Sequence, residues 1–220
     1  MSTSREKVLG RIRQSLRRGP LEEQTCARLE ARLSAHATHS RIGFTADAVE
    51  RFIDKAQSQA ATVARVATAA QVPDAVADYL KSHNLPAAVA AAPALRGIEW
   101  PRHLTVAFGG TRGEHEAAVT PCLAAVAETG SLVLLSGEDS PTTLNLLPDN
   151  HIVIVNRSQV VRDFETVWQT LRERDASLPR AVNLITGPSR TADIEQTIQL
   201  GAHGPRRVHI ILVDDGEGSG

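Results

Sequence analysis

The sequence predicts an α/β fold in which a largely parallel sheet is flanked by helices, with a helical hairpin in front of it. Short apolar runs with strand character alternate with helical patterns from residue 46 onwards, and this alternation is typical of parallel sheets. A length of 220 residues suits one such domain with a small appendage. We therefore expect a helical extension over residues 1–45, the main domain over 46–215 and a disordered tail over 216–220.

The extension has the pattern of two amphipathic helices. Apolar residues recur at helical spacing among arginines over residues 5–18, and Gly19-Pro20 ends that helix. The apolar side of the next helix consists of Leu21, Cys26, Leu29 and Leu33. The two helices would form a hairpin that packs on the main domain or on a partner. The basic face of the first helix is compatible with nucleic acid or a membrane surface, but such faces are more often simply solvated.

Within the main domain, strands and helices are predicted from the period of the apolar residues. The predicted strands cover residues 63–67, 87–91, 104–108, 123–127, 132–135, 152–155, 182–185 and 208–213. The predicted helices cover residues 46–60, 73–83, 164–173 and 192–200. In the second of these helices Pro73 stands in the first turn, and Val76 and Leu80 are four positions apart.

The composition argues against several classes of protein. The net charge is −1 and only seven residues are aromatic, so neither charge nor base stacking indicates a nucleic-acid partner. Cys26 and Cys122 are isolated, which predicts no iron–sulfur cluster in this chain. His36 and His39 have no evident third ligand, so we expect no metal site. The first residues lack an apolar signal segment and no apolar run has membrane-spanning length, which predicts a cytoplasmic protein.

A polar turn after the run at 182–185 is the strongest candidate for a ligand site. It contains Gly187, Pro188, Ser189, Arg190, Thr191 and Asp193. If a helix begins here, its backbone N–H groups, the hydroxyls and the guanidinium of Arg190 would suit an anionic ligand. The alternative is a well-capped helix and nothing more. Arg190 favours a ligand, because a cation near a helix N-terminus is mildly unfavourable.

A second polar turn joins two strand-like runs at Glu128-Thr129-Gly130, followed by Ser131. Gly130 is suited to a positive φ in a tight turn. Glu128 would project from the end of the sheet between hydroxyl groups, as a base, a nucleophile or a hydrogen-bond acceptor for a hydroxylated substrate. From these residues alone, an exposed turn carboxylate is the simpler interpretation.

A third candidate is His203 in the segment His203-Gly204-Pro205, between the last predicted helix and the last strand. A histidine at a helix C-terminus often only stabilises the helix, but this chain position would bring it near the other turns. The glycine-rich segment 109–113 matches neither a dinucleotide-binding pattern nor a P-loop. The sequence also lacks the G-x-S-x-G motif of serine hydrolases.

These motifs, in this order, resemble the lactate utilization protein C family, whose members consist largely of one LUD domain. The matching segments are 128–135, 146–148, 151–155, 187–195 and 203–205. The good match covers about residues 120–214, with a looser extension back to residue 46. Two positions depart from the family pattern: Ser131 stands where threonine is common, and Thr142 stands where relatives often have arginine.

The resemblance implies a Rossmann-like fold similar to those of NagB, ribose-phosphate isomerase and CoA transferases. It also implies a role in oxidising L-lactate to pyruvate alongside two iron–sulfur partner proteins. The lack of cysteine clusters agrees with that division, because the clusters would belong to the partners. No cofactor is therefore expected in this chain, and the family assigns no catalytic residues to carry over.

The leading hypothesis is an accessory or ligand-binding subunit of lactate oxidation that binds a small anionic metabolite. Arg190 would meet the anion and Glu128 would meet a hydroxyl or act as a base, with the neighbouring turn residues and His203 completing the site. One alternative is a freestanding isomerase or CoA-transferase-like enzyme with Glu128 as base or nucleophile. Another is a structural adaptor that docks its N-terminal helices on the iron–sulfur subunits.

Overall fold

The computed structural model describes residues 3–17, 19–35, 43–174, 178–191, 199–200 and 204–214. The chain divides into two compact units, residues 1–41 and 42–220. The domain boundaries expected from the sequence stay predictions, and the expected tail at 216–220 lies outside the described residues.

Two helices occur among the described residues of the first unit, as the apolar periodicity predicts. They are α1 (Ser4–Leu16) and α2 (Glu23–Ser34). Thr3 caps α1 in a reciprocal box with Glu6, whose carboxylate accepts a hydrogen bond from the Thr3 backbone N–H at 2.7 Å. No described residue of either helix is buried. Their large apolar side chains, such as Ile12 and Leu33, are exposed.

Among its described residues, the second unit contains four further helices. They are α3 (Ala48–Ser58), α4 (Val72–Ser82), α5 (Thr143–Leu146) and α6 (Phe164–Glu173). Asp47 caps α3 and Asp163 caps α6 by accepting hydrogen bonds from backbone N–H groups of the first turn. Among the parts of the chain that the structure describes, no helix is long and apolar enough to cross a membrane.

Twelve strands occur among the described residues, and six of them form the main sheet. In chain order they are β1 (Thr62–Val66), β2 (Ala88–Ala91), β3 (Thr105–Phe108), β4 (Ala117–Pro121), β5 (Ala124–Val126), β6 (Ser131–Leu135), β7 (Asn150–Asn156), β8 (Val160–Val161), β9 (Val182–Ile185), β10 (Arg190–Thr191), β11 (Gln199–Leu200) and β12 (Arg207–Val213). The main sheet has the order β1-β12-β7-β4-β2-β3, and all its pairs are parallel. Its register places Ile210 of β12 between Val63 of β1 and Val153 of β7.

Both faces of the main sheet are buried, which explains the nearly continuous apolar runs in its strands. Helix α4 packs on one face, over Ile152 and Ile154 of β7. Helix α3 and a second sheet pack on the other face, over Val153 and Val155. The prediction of a largely parallel sheet flanked by helices is therefore confirmed.

The second sheet is mixed and has the order β8-β5-β6-β9. Strands β5 and β9 both run antiparallel to β6 and so point in the same direction. Helix α6 covers this sheet through Val167 and Leu171. The turns after β5 and after β9 therefore lie at the same end of one sheet.

The prediction of a helix over residues 192–200 is wrong at its end. Gln199 and Leu200 form β11, which pairs antiparallel with Arg190 and Thr191 of β10. Residues 192–198 lie outside the described part of the chain. Arg190 and Thr191 thus belong to a strand ladder, a pairing between two separated segments that a local helical pattern does not encode.

Candidate functional site

The Glu128 turn lies against the last part of helix α3. The backbone N–H of Glu128 donates to the carbonyl of Arg162 at 3.0 Å, and that of Gly130 donates to Val126 at 2.8 Å. Gly130 has a φ of +74°, and a Cβ at this position would lie 2.5 Å from the backbone nitrogen of Ala56. Glycine is therefore required here both for the turn and for its contact with the helix.

The turn after β9 meets the end of the same helix. Gly187 also has a φ of +74°, and a Cβ there would overlap the carbonyl oxygen of Gln59. Gln59 is the C-cap residue of α3 and directly follows its last helical residue, Ser58. Two glycine turns from separate parts of the sequence are thus packed side by side on one helix end.

A chain of three hydroxyl groups joins these two turns. The Oγ1 atom of Thr129 lies 2.7 Å from Oγ of Ser131, which in turn lies 2.6 Å from Oγ1 of Thr186. Ser131 is only 2% exposed, whereas Thr186 is exposed to solvent. Serine at position 131, where threonine is common in the family, still provides the hydroxyl that links the two turns.

An open cleft of about 450 Å³ lies beside this chain of hydroxyls, and we call it the Lys55 cleft. It is lined by Lys55, Gln59, Glu128, Thr129, Ser131, Phe164, Leu184 and Thr186. Among these described residues, Lys55 supplies a positive charge and Glu128 a negative one. Leu184 and Phe164 provide apolar surface. A cation, a carboxylate, hydroxyls and an apolar wall together suit a small hydroxylated acid.

Arg190 lies next to the Lys55 cleft but is not one of its lining residues. Its Nη2 atom donates to the carbonyl oxygen of Gln59 at 3.2 Å. That carbonyl belongs to the carboxyl end of α3, where a cation is favourable because the helix dipole is negative there. Arg190 therefore caps the carboxyl end of α3, and this contact needs no ligand. From the sequence we expected Arg190 near the amino end of a helix instead.

The segment around Gly204 meets the Gly187 turn, as its place in the chain predicts. The backbone N–H of Ser189 donates to the carbonyl of Pro205 at 2.9 Å, and a Cβ on Gly204 would lie 3.3 Å from Cβ of Ser189. Pro188 is half-buried within the same turn. The predicted site residues Asp193 and His203 lie outside the described residues.

The position of the cleft relative to the main sheet was not evident from the sequence. Its turns follow β5 and β9 in the second sheet, yet they contact the end of α3 that leads into the start of β1. Pro205 likewise lies two residues before the start of β12. The candidate site therefore lies near the amino ends of β1 and β12, whereas open parallel sheets usually bind ligands at the carboxyl ends of their strands.

Sequence reasoning missed Lys55, because a lysine in the last turn of a helix is normally explained by the helix dipole. Phe164 was predicted only as part of the helix at 164–173, and Thr186, which directly follows the predicted strand at 182–185, was given no role. Among the residues that the structure describes, no group of three or more His, Cys, Asp or Glu side chains could hold a metal ion, and the expectation of no metal site stays a prediction. Burial raises the pKa of the Cys122 thiol to about 12, which disfavours the nucleophilic thiolate form.

Comparison with known proteins finds relatives that carry the name of the family that the motifs resemble. A lactate utilization protein C from Halalkalibacterium halodurans is 41% identical over 93 residues, which cover 41% of this chain and 40% of that protein. The Bacillus subtilis protein of that name is 39% identical over 93 residues, which cover 41% and 39%. An uncharacterized protein from Neisseria meningitidis is 38% identical over 88 residues, which cover 40% and 38%. The aligned stretch thus spans about two fifths of each curated relative.

A solved structure shares the fold. It is a DUF162 family protein from Deinococcus radiodurans, with a TM-score of 0.55 and 24% identity, and the match covers 76% of this chain and 96% of that one. A family model described as LUD domain matches residues 49–213, which is well over half of the sequence. The resemblance drawn from the motifs is confirmed, and the chain belongs to the LUD domain family.

Proposed function

We propose that this protein takes part in lactate utilization and binds a small hydroxy-carboxylate, with L-lactate as the leading candidate, in the Lys55 cleft. Its sequence relatives named lactate utilization protein C support the role. The observation that carries the binding proposal is the placement of Lys55 and Glu128 in one cleft beside three linked hydroxyl groups.

Each part of L-lactate has a complementary group in the cleft. The ammonium of Lys55 would pair with the carboxylate of the ligand. The ligand hydroxyl would donate to the carboxylate of Glu128, close to the hydroxyl of Thr129. The methyl group would face Leu184 or Phe164. This arrangement assigns the anion to Lys55 and leaves Arg190 on the carbonyl of Gln59.

Oxidation of L-lactate to pyruvate removes two electrons and two protons. In our proposal the O–H and Cα–H bonds of lactate break: Glu128 accepts the hydroxyl proton, the Cα hydrogen leaves as a proton to solvent, and the two electrons pass to iron–sulfur partner proteins. This chain has two isolated cysteines, too few to ligate such a cluster alone. The partner proteins and the cytoplasmic location remain part of the proposal.

Calorimetric titration with L-lactate and pyruvate tests the binding site. We expect the Lys55→Met variant to bind L-lactate about tenfold more weakly, because one charge-assisted hydrogen bond is lost. Lys81→Met removes the same charge from α4, outside the cleft, and should leave the affinity unchanged. Equal affinities of the two variants, or no binding of L-lactate to the unmodified protein, would contradict the proposal.

A second candidate is a freestanding enzyme of the isomerase or CoA-transferase type. It is favoured by the half-buried Glu128 carboxylate at a strand end, where it can act as a base or nucleophile. Turnover of a CoA ester or sugar phosphate without partner proteins, lost in Glu128→Gln, would support this candidate over lactate binding.

The adaptor hypothesis depends on the first unit. The exposed apolar side chains of α1, among them Val8 and Ile12, would contact a partner protein. Ile12→Glu should then abolish co-purification with the iron–sulfur proteins, while Arg11→Glu beside it serves as a control for charge. Unchanged co-purification of the Ile12 variant would exclude docking through this face of α1.

A further inference from the structure

The second unit contains a larger cavity than the Lys55 cleft, at the edge of the main sheet. It has a volume of about 760 Å³ and lies between the edge strand β1, His209 of β12 and helix α4. We call it the α4 cavity. It shares no lining residue with the Lys55 cleft, and neither the family resemblance nor the proposed function uses it.

Three neighbouring rings line the α4 cavity. The ring of Tyr79 contacts both imidazoles: it stacks on His209 at a centroid distance of 4.4 Å and meets His83 at 4.2 Å with a tilt of 32°. The Nδ1 atom of His83 is 2.9 Å from the carbonyl oxygen of Tyr79, and Nδ1 of His209 is 2.8 Å from Oγ1 of Thr62. His209 is only 7% exposed. Each imidazole thus has Nε2 left for the cavity, since Nε2 has no hydrogen-bond partner among the described residues.

The hydrogen-bonding role of His83 follows from its partner. Nδ1 of His83 also lies 3.0 Å from Oγ of Ser82, whose own proton is donated to the Tyr79 carbonyl at 2.8 Å. Since a carbonyl oxygen only accepts, Nδ1 is the donor, and Nε2 of a neutral His83 ring is an acceptor. Burial, and to a lesser extent the neighbouring His83, lowers the pKa of His209 to about 4. The His209 ring is therefore neutral at pH 7 and adds no positive charge to the cavity wall.

The charged groups at the rim make the α4 cavity negative. Asp74 and Asp78 are exposed, lie one helical turn apart on α4, and form no ion pair with a described residue. Arg65 also lines the cavity, but its guanidinium is bound to Glu50 at 2.8 Å and to Asp214 at 3.1 Å. Its charge is thus offset by two carboxylates outside the cavity lining. The wall offers hydrogen-bond acceptors and negative charge.

We propose that the α4 cavity binds a small organic cation of the amine class. Its ammonium groups would donate hydrogen bonds to Asp74, Asp78 and Nε2 of His83. The small apolar side chains of Ala64 and Val66 on β1 would contact a short methylene chain between the ammonium groups. Anions are disfavoured here, so this site differs in ligand class from the Lys55 cleft.

The probe that matches two carboxylates one turn apart is 1,4-diaminobutane. We expect its addition to shift the histidine ring resonances of His83 and His209 in NMR spectra, and calorimetry to show binding. Asp78→Asn should weaken binding about fivefold, the effect of one exposed charge pair. Asp54→Asn makes the same charge change at an exposed position of α3, outside the cavity, and should leave diamine binding unchanged.

Three results would overturn the proposal: no shift of the two histidine resonances, equal loss of binding in the Asp54 and Asp78 variants, or equal binding of uncharged 1,4-butanediol. His83→Gln provides a second variant that keeps a hydrogen-bonding side chain and should also weaken diamine binding. Lys55→Met should leave diamine binding intact, which separates this site from the proposed lactate site.

Discussion

The Oγ atom of Ser131 lies 2.6 Å from Oγ1 of Thr186, and this contact connects the turn after β5 with the turn after β9. Thr186→Val removes one of the two hydrogen-bond partners of the buried Ser131 hydroxyl, which keeps Thr129, and Ser131→Ala removes the hydroxyl that Thr129 and the exposed Thr186 share. Ser131→Ala and Thr186→Val should each lower the free energy of unfolding by about 1–2 kcal/mol.

The double variant tests whether these two hydroxyls stabilise one another. Urea denaturation of the single variants and of the Ser131→Ala, Thr186→Val combination should give a coupling of about 1 kcal/mol. Additive losses in the double variant would show that the two side chains act independently and that the turns are not joined through them.

A side chain at Gly187 should destabilise the protein because it collides with the end of α3. Gly187→Ala should lower the free energy of unfolding by about 3 kcal/mol or more, since a positive φ and an overlap with the Gln59 carbonyl act together. The matched control is Gly113→Ala, which has a φ of +101° but open space around the added Cβ. It should cost about 1–2 kcal/mol. Equal losses in denaturation would mean that the contact with α3 contributes nothing.

Replacement of Arg190 distinguishes capping from ligand binding. Arg190→Met should lower the free energy of unfolding by about 0.5–1 kcal/mol, because the carboxyl end of α3 loses a cationic donor. L-lactate affinity should stay the same, since our proposal places the ligand carboxylate on Lys55. Arg102→Met, at an exposed arginine that makes no hydrogen bond with the described residues, controls for loss of charge. A large loss of lactate affinity in Arg190→Met would instead place Arg190 in the site.

Acid should destabilise the protein through its buried histidines. Burial lowers the pKa of His151 to about 3 and that of His209 to about 4, against an ordinary value of 6.5. Between pH 6.5 and these values the unfolded chain binds more protons, so the free energy of unfolding falls as the pH falls. The loss is at most about 1.4 kcal/mol per pH unit for each group.

Urea denaturation at several pH values between 4 and 7 measures this dependence. His151→Gln keeps a partner for the hydroxyl of Thr120, which lies 2.8 Å from Nε2 of His151. The variant should reduce the slope of the unfolding free energy against pH by up to about 1.4 kcal/mol per pH unit, which is the effect of one titrating group. The same change at exposed His103 should leave the slope unaltered. A slope that is unchanged in the His151 variant would show that another group causes the acid loss.

Much of the fold follows from local patterns. The prediction for residues 164–173 coincides with α6, because Asp163 caps the helix and Val167 and Leu171 repeat at helical spacing. The positive φ of Gly130 was likewise predictable from the short turn between two apolar runs. Such features depend on a few neighbouring residues, whose conformational preferences are present in the sequence itself.

Other features depend on contacts between distant segments. The apolar runs of β5, β6 and β9 resemble those of the main sheet, yet they form a separate mixed sheet over α3. Residues 199–200 have a helical pattern, yet they pair with 190–191 as strands. Hydrogen bonding to a remote partner decided both outcomes over the local preference.

The sequence by itself determined the α/β class, the family, the glycine turns and the polar residues Glu128, Thr129 and Ser131. Only the tertiary structure decided which cation faces Glu128, because Lys55 comes from a helix far away in the chain while Arg190 turns to the carbonyl of Gln59. It also revealed the contact of the Tyr79 ring with those of His83 and His209, which brings the end of α4 next to β12. Residues remote in sequence become neighbours only when buried surfaces pack, and no local pattern specifies that packing.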